Sequence, residues 1–379
     1  MAIQLNQDIQ QYLKDHHKEL LNLIETLCKI PAPSNKEDKR AAFVKAWLEG
    51  RGAKGVYIDD ALNVVFPYEC EGKNQISVIM AHTDTVFPDM EPFSVVYDGN
   101  KMCCPGVGDD TTNLAMLLMV IQYVLEHHLH SECGVLFVAN SGEEGLGNLK
   151  GCRQIMKDYE GRVAELTSFD GGYDGVCNYA VGSKRYHVTL QTEGGHSYGS
   201  FGNRNAIHLL SSMIDTLYTL KVPTGGKSTY NVGTIHGGTS VNTIAQNAEM
   251  LFEYRSDVRE HLAMMDNFFH QVIASYQAMD VPVEVELVGD RPCMGDVDPA
   301  KQEALNQKVF GIIKDLTGKE VSGHSGSTDC NIPFSVGVPA ICFGGYRGHG
   351  AHTREEYIEL DSLEVGFQVV TAHVLSYFS

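Results

Sequence analysis

Apolar and polar residues follow two different rhythms along this chain, and the rhythm changes just after Gly182-Ser183. Before that point, short unbroken apolar runs predict strands buried on both faces, as in a parallel sheet: Ile76 to Ala81, Val135 to Ala139 and Ala164 to Phe169. Weaker strands are expected near Gly55 to Ile58 and Asn63 to Pro67. Apolar residues spaced by three and four predict helices between them. The first runs from Asn6 to Lys29, carries Ile9, Leu13, Leu20 and Leu27, and is stopped by Pro31 and Pro33. A second is expected to start from a cap at Ser34 or Asn35 and continue through Trp47 to Gly50. Thr111 to His128 and Gly147 to Tyr159 read as two more.

Beyond residue 183 the pattern becomes alternating. Arg185 to Thr192 reads as a half-buried strand, Asn205 to Leu220 as an amphipathic helix, and Thr229 to Ile235 and Glu249 to Tyr254 as strands. His261 to Met279 then reads as a helix and Val281 to Val288 as a strand. That order, β-α-β-β-α-β, is the split ferredoxin-like arrangement. The first rhythm resumes near Pro299 with a helix carrying Leu305, Val309 and Ile312, the Pro339 to Phe343 strand, and a closing helix from Asp361. The chain is therefore read as a discontinuous α/β domain, residues 1–183 and 294–379, with an α+β domain inserted at 184–293.

The chemistry gathers where apolar runs stop. Val135 to Ala139 leads into Asn140-Ser141-Gly142 and then two adjacent carboxylates, Glu143 and Glu144. The Ile76 strand runs into His82-Thr83-Asp84, the Ala164 strand into Asp170-Gly171-Gly172, and Gly106-Val107-Gly108-Asp109-Asp110 precedes a long apolar helix. Pro339 to Phe343 is followed by Gly348-His349-Gly350-Ala351-His352. In open α/β sheets ligands bind at the carboxyl ends of strands. Imidazole with carboxylate is the ligand set of a hydrolytic divalent metal.

Length and charge narrow the class. At 379 residues, two domains are the prior expectation. A net charge of −19 with no basic stripe argues against a nucleic-acid partner. No apolar run reaches the roughly 18 to 20 residues that span a bilayer, and Met1 to Gln7 lacks the basic and apolar regions of a secretory leader. Ten cysteines without a CxxC pair suit free thiols in a reducing cytoplasm.

Taken in order, His82-x-Asp84, Gly108-Asp109-Asp110, Glu143-Glu144, Asp170 and Gly350-Ala351-His352 followed by Glu356 resemble the motifs of the co-catalytic dizinc exopeptidases. That family includes peptidase T-type aminopeptidases, carnosinase-type dipeptidases, glutamate carboxypeptidase, aminoacylase, acetylornithine deacetylase and succinyl-diaminopimelate desuccinylase. The resemblance covers nearly the whole chain. It implies two divalent ions, zinc or else cobalt or manganese, bridged by Asp109. His82 and Asp170 would complete one site, and Glu144 and His352 the other. It further implies that Glu143 is the general base and that Asp84 orients His82 by accepting its second ring N–H. A cis peptide is implied between Asp109 and Asp110. In the inserted domain, a lid, Gly194-Gly195-His196-Ser197 resembles the motif whose histidine reaches a partner subunit's active site, which implies a homodimer through the lid. Asn242 would hold the substrate backbone and Arg255 its carboxylate. His349 is set aside because Glu356 stands four residues after His352, as the pattern requires.

Family aminopeptidases and dipeptidases tend to carry Asp at the position of Asp170, and deacylases Glu. Phe169-Asp170-Gly171-Gly172 and Arg255-Ser256-Asp257 are similar to peptidase T-type enzymes, although Ser197 to Gly202 departs from them. The resemblance therefore implies a di- or tripeptide aminopeptidase, with N-acyl-amino-acid hydrolysis as the alternative. A catalytically inactive binding protein is disfavoured by the full set of presumed ligands. A dinuclear phosphoesterase would need an Asn-His pair that the sequence lacks.

Overall fold

The computed structural model describes residues 5–379, so the reading of Met1 to Gln4 lies outside the described residues. The chain divides into two units, Met1–Tyr179 with Asp296–Ser379, and Ala180–Gly295.

The first unit is built on an eight-stranded mixed sheet. Its spatial order is Tyr57–Ile58, Val64–Tyr68, Val135–Asn140, Ile76–His82, Val163–Phe169, Ala340–Phe343, Val176–Ala180 and Gly323–Gly326. The four middle strands run parallel. Every residue of Ile76–His82 and of Val135–Asn140 is buried, which is why both segments read as continuous rather than alternating runs. Val64–Tyr68 and Val176–Ala180 flank this block antiparallel. The helix Asn113–Glu126 is buried nearly all round, from Leu114 to Val124, as expected for an element inside a layer rather than on its surface. A small antiparallel sheet joins Val96–Asp98, Lys101–Cys103, Tyr357–Glu359 and Gly348–His349.

Three helix expectations need correction. The first helix is two, Gln7–Asp15 and His17–Cys28, broken at His16. No apolar side chain between Leu13 and Leu20 holds the helix to the core there, and the His16 ring stacks on Tyr12 with centroids 3.8 Å apart. The second helix starts at Asp38, without a cap from Ser34 or Asn35. Asn35 sits at φ 71°, and the Ser34 hydroxyl is used elsewhere. The helix expected from Gly147 starts at Lys150, because Asn148 and Leu149 hold left-handed φ of 54° and 59°.

The second unit is a four-stranded antiparallel sheet in the order Ser228–Gly237, Asn247–Ser256, Gly182–Gln191, Val283–Arg291. With the helices Ala206–Leu217 and Arg259–Gln277 in chain order, this is the ferredoxin-like topology. Asn205 caps the first helix by accepting the His208 N–H. Val188, Leu190, Leu210, Met213, Phe252 and Phe269 form the core of this unit. A short ribbon pairs Gly195–His196 with Thr243–Ile244. Among the described residues no helix is long and apolar enough to cross a membrane.

Candidate active site

Parallel pairing sets strand ends side by side: His82 lies opposite Asn140, and Ala81 opposite Phe169. The chain then leaves the sheet at neighbouring points, carrying Asp84, Glu143, Glu144 and Asp170 into one place. Asp109 comes from the irregular turn Val107–Thr112, where Asp109 and Asp110 have non-helical backbone and are joined by a cis peptide bond. His352 comes from the loop after Gly348–His349, with φ 65°.

Asp109 is central. Its Oδ1 is 2.9 Å from His82 Nε2, and its Oδ2 is 3.0 Å from His352 Nε2. Donor atoms of His82, Asp109 and Asp170 lie within 4.8 Å of one another, and so do those of Asp109, Glu144 and His352. The two triads share Asp109. Glu143 is 5% exposed and offers a carboxylate oxygen within 4.8 Å of the donor atoms of His82 and Glu144.

The electrostatics of this cluster fit bound cations. Burial, reinforced by the Asp109 and Glu143 carboxylates, pushes Glu144 up to about 7. Burial and the Asp109 charge likewise hold Asp170 well above the ordinary carboxylate range. Burial would also raise Asp109, but hydrogen bonds to His352 and His82 outweigh it and hold Asp109 below that range. Glu144 Oε1 is buried with no hydrogen-bond partner, although it lies 3.1 Å from His352 Nε2. Closely packed carboxylates and an orphaned acceptor suit a divalent cation, which relieves both penalties.

The surrounding hydrogen bonds fix these side chains. The Asp84 carboxylate accepts the backbone N–H groups of Glu143 and Glu144, each at 3.0 Å, and the Ser34 hydroxyl at 2.7 Å. His82 Nδ1 is 3.1 Å from the Asp84 carbonyl oxygen and 3.5 Å from Oδ1. The aspartate thus orients the glutamate loop as much as the histidine. Glu356 accepts the N–H groups of Gly106, Gly108 and Asp109 at 2.6, 2.9 and 2.8 Å. A Cβ on Gly108 would fall 2.7 Å from the Tyr346 hydroxyl, so only glycine lets the turn pack this closely. Asp110 accepts from the His82 N–H at 3.1 Å and from Asn113 Nδ2 at 2.7 Å.

Ser34, expected as a helix cap, therefore belongs to the site. Arg40, Lys150 and Asp329 carry no signal in the sequence that would place them here. Arg40, 2% exposed, donates to the carbonyl of Thr83, between His82 and Asp84. Lys150 pairs at 3.0 Å with the fully buried Glu37. No periodicity marks these positions, because each lies in a loop or on a helix face that sequence spacing leaves ambiguous. A cavity of about 520 Å³ opens beside Asp170, lined also by Asp174, His324, His349, Thr328 and Tyr346.

Within the second unit, His196 is exposed, and its Nδ1 accepts the N–H groups of Tyr198 and Gly199 at 3.3 and 3.2 Å. This places the proton of the neutral ring on Nε2. Asn242 is exposed at the adjoining turn, and its carbonyl accepts the Ser197 N–H. Arg255 is not a free clamp: Nε and Nη2 bind both oxygens of Glu253, at 3.1 and 3.0 Å.

Residues 78–376 match the model of Peptidase family M20/M25/M40. The chain is 26% identical over 363 residues to a succinyl-diaminopimelate desuccinylase of Corynebacterium glutamicum, covering 90% of this chain and 92% of the relative. Its fold is similar to that of a tripeptidase from Staphylococcus aureus, with a TM-score of 0.70 at 21% identity, covering 94% and 97% of the two chains. It is also similar to a dinuclear metal-binding peptidase of the M20 family from Bacillus subtilis, with a TM-score of 0.63 at 16% identity, covering 96% and 99%. The matched span and the paired donor triads agree: this chain belongs to peptidase family M20/M25/M40, hydrolases acting on amide bonds.

Proposed function

We propose that this protein is a di- or tripeptide aminopeptidase that uses two divalent metal ions, zinc or a substitute such as cobalt or manganese. The observation that carries the reading is the pair of donor triads sharing Asp109, with Glu143 at their side and a cavity beside Asp170. His82, Asp109 and Asp170 would hold one ion, and Asp109, Glu144 and His352 the other. When bound, such ions would polarise the substrate carbonyl and lower the pKa of water.

Glu143 takes the proton from the attacking water and delivers it to the leaving amine. Asp84 and Ser34 hold the peptide bonds around Glu143 and Glu144, so the base meets the water in one orientation. The cavity beside Asp170 is lined by polar groups, Asp174, His324 and His349 among them, which suits the backbone and charged ends of a short peptide. His196, with its proton on Nε2, can donate to the oxyanion of a partner subunit's substrate, which makes a homodimer through the second unit part of the proposal. Asn242 on the same ribbon would hold the peptide backbone. Arg255 would bind the substrate's carboxylate by exchanging it for that of Glu253. Ten free cysteines suit a reducing cytoplasm.

Likeness to a desuccinylase favours a second reading, hydrolysis of an N-acyl amino acid. A panel of dipeptides, tripeptides and N-acyl amino acids with added zinc, cobalt or manganese separates the two. Turnover of free-amine peptides is expected. Turnover of the N-acyl compounds alone overturns the aminopeptidase reading.

A further inference from the structure

Asp329 is a fully buried carboxyl that no step above uses. Its Oδ2 accepts Nδ2–H of Asn140, itself fully buried, at 2.6 Å. The other two oxygens of this pair, Asp329 Oδ1 and Asn140 Oδ1, are both buried without a hydrogen-bond partner. Two orphaned acceptors on one contacting pair is an uncommon arrangement, because buried polar atoms are nearly always satisfied. As long as both are acceptors, neither can help the other. A proton on Asp329 Oδ1 makes that oxygen a donor, and the unpaired acceptor on its own partner is Asn140 Oδ1. The result is a cyclic acid–amide pair with two hydrogen bonds running in opposite directions.

We propose that Asp329 is held as the neutral carboxylic acid and acts through Asn140 as a positioning residue for Glu143. Asn140 ends the Val135–Asn140 strand three residues before Glu143, and its carbonyl accepts both the N–H and the hydroxyl of Thr83, at 2.7 and 2.9 Å. Fixing the Asn140 side chain to the loop at Asp329 therefore fixes the point where the Glu143 loop leaves the sheet. From the other side, Cys152 Sγ holds the Asp329 carbonyl at 3.3 Å. The charged neighbours push the same way: burial first, then the Glu143 and Asp84 carboxylates against the opposing effects of His82 and Asn140, raise Asp329 to about 8.

The positioning role rests on the reading of Glu143 as the base; the protonation state does not. Infrared difference spectra of the full-length protein carrying isotope-labelled aspartate, parent minus Asp329→Asn, test the state directly. A protonated-acid carbonyl band at neutral pH is expected, and a carboxylate band alone overturns the proposal. For the role, Asp329→Ala should lower kcat about 10- to 100-fold with KM little changed, the range typical of partners just outside a metal centre. Asp329→Asn, which accepts from and donates to the same amide, should restore most of that loss without moving the acid limb of the pH–rate profile. Equal damage from the Asn and Ala substitutions overturns the role. If the band is present but Glu143→Gln stays active, it is the assignment of the base that fails. If the band is absent and Glu143→Gln is inactive, only the present proposal falls.

Discussion

The carboxylate of Glu356 accepts the backbone N–H of Asp109 at 2.8 Å, from 247 residues further along the chain. With the N–H groups of Gly106 and Gly108 on the same carboxylate, one buried side chain shapes the turn that presents the residue shared by both donor triads. Glu356→Ala should therefore weaken metal binding without removing a ligand, by about 10- to 100-fold as for other partners just outside a metal centre. Titration of the metal-free protein with zinc, followed calorimetrically, measures this directly; unchanged affinity would show that the turn holds its shape unaided.

Glu143 and Glu144 are adjacent in sequence but should fail differently. Glu143→Gln is expected to bind both metals while losing about 10²–10⁴-fold in kcat, the worth of a general acid–base group, with KM little changed. Glu144→Gln should lose metal and recover part of its activity in excess zinc. Elemental analysis beside steady-state kinetics distinguishes them, and exchanged behaviours would mean that base and ligand are reversed.

If His196 serves the partner's site, two inactive variants should complement each other. Mixing and re-annealing His196→Ala with Glu143→Gln gives heterodimers with one site that keeps both groups. Random pairing of a two-fold dimer then predicts about a quarter of the parent activity. No recovery would place His196 outside catalysis or within its own subunit's site.

His373 gives a pH dependence of stability. Burial, with the Lys308 cation, holds it well below its ordinary 6.5, and Thr167 Oγ1 is 2.8 Å from its Nε2. The unfolded chain takes up a proton below about pH 6.5, whereas the folded chain resists it. The folded state therefore keeps this contribution above that pH and loses it as pH falls, by up to about 1.4 kcal/mol per pH unit for one group. Denaturant midpoints measured from neutral to mildly acid pH should fall less steeply for His373→Phe than for the parent.

Much of the candidate site is legible in the sequence because its residues stand where apolar runs stop. His82, Glu143, Glu144 and Asp170 are marked in this way, and Asp109 by its place in a glycine turn before a buried helix. Ser34 reads as a cap because a serine before a helix and a serine bonded to a distant aspartate look alike in one dimension. Asp329 and Arg40 carry no marker, since what distinguishes them is burial against segments far away in sequence. The Glu253–Arg255 pair was within reach: residues two apart on a strand share a face, so the guanidinium had a carboxylate beside it. In the fold, the runs of all-buried residues gave the central strands, and the alternating stretch gave the second unit. The break at His16 lay in a polar stretch, where helix spacing has no apolar anchors to follow.

The place of Ala340–Phe343 in the sheet has a consequence for how the protein is made. This strand lies between Val163–Phe169 and Val176–Ala180, yet it is synthesised after the whole Ala180–Gly295 unit. Any sheet formed on the ribosome before residue 340 emerges has an open edge at Val163–Phe169, the strand that leads into Asp170. His352 follows a few residues after the missing strand. A nascent chain thus carries His82, Asp109, Glu144 and Asp170 for nearly half of its synthesis without the fifth candidate ligand. Stalling before residue 340 leaves the interior of the sheet open to intermolecular strand pairing.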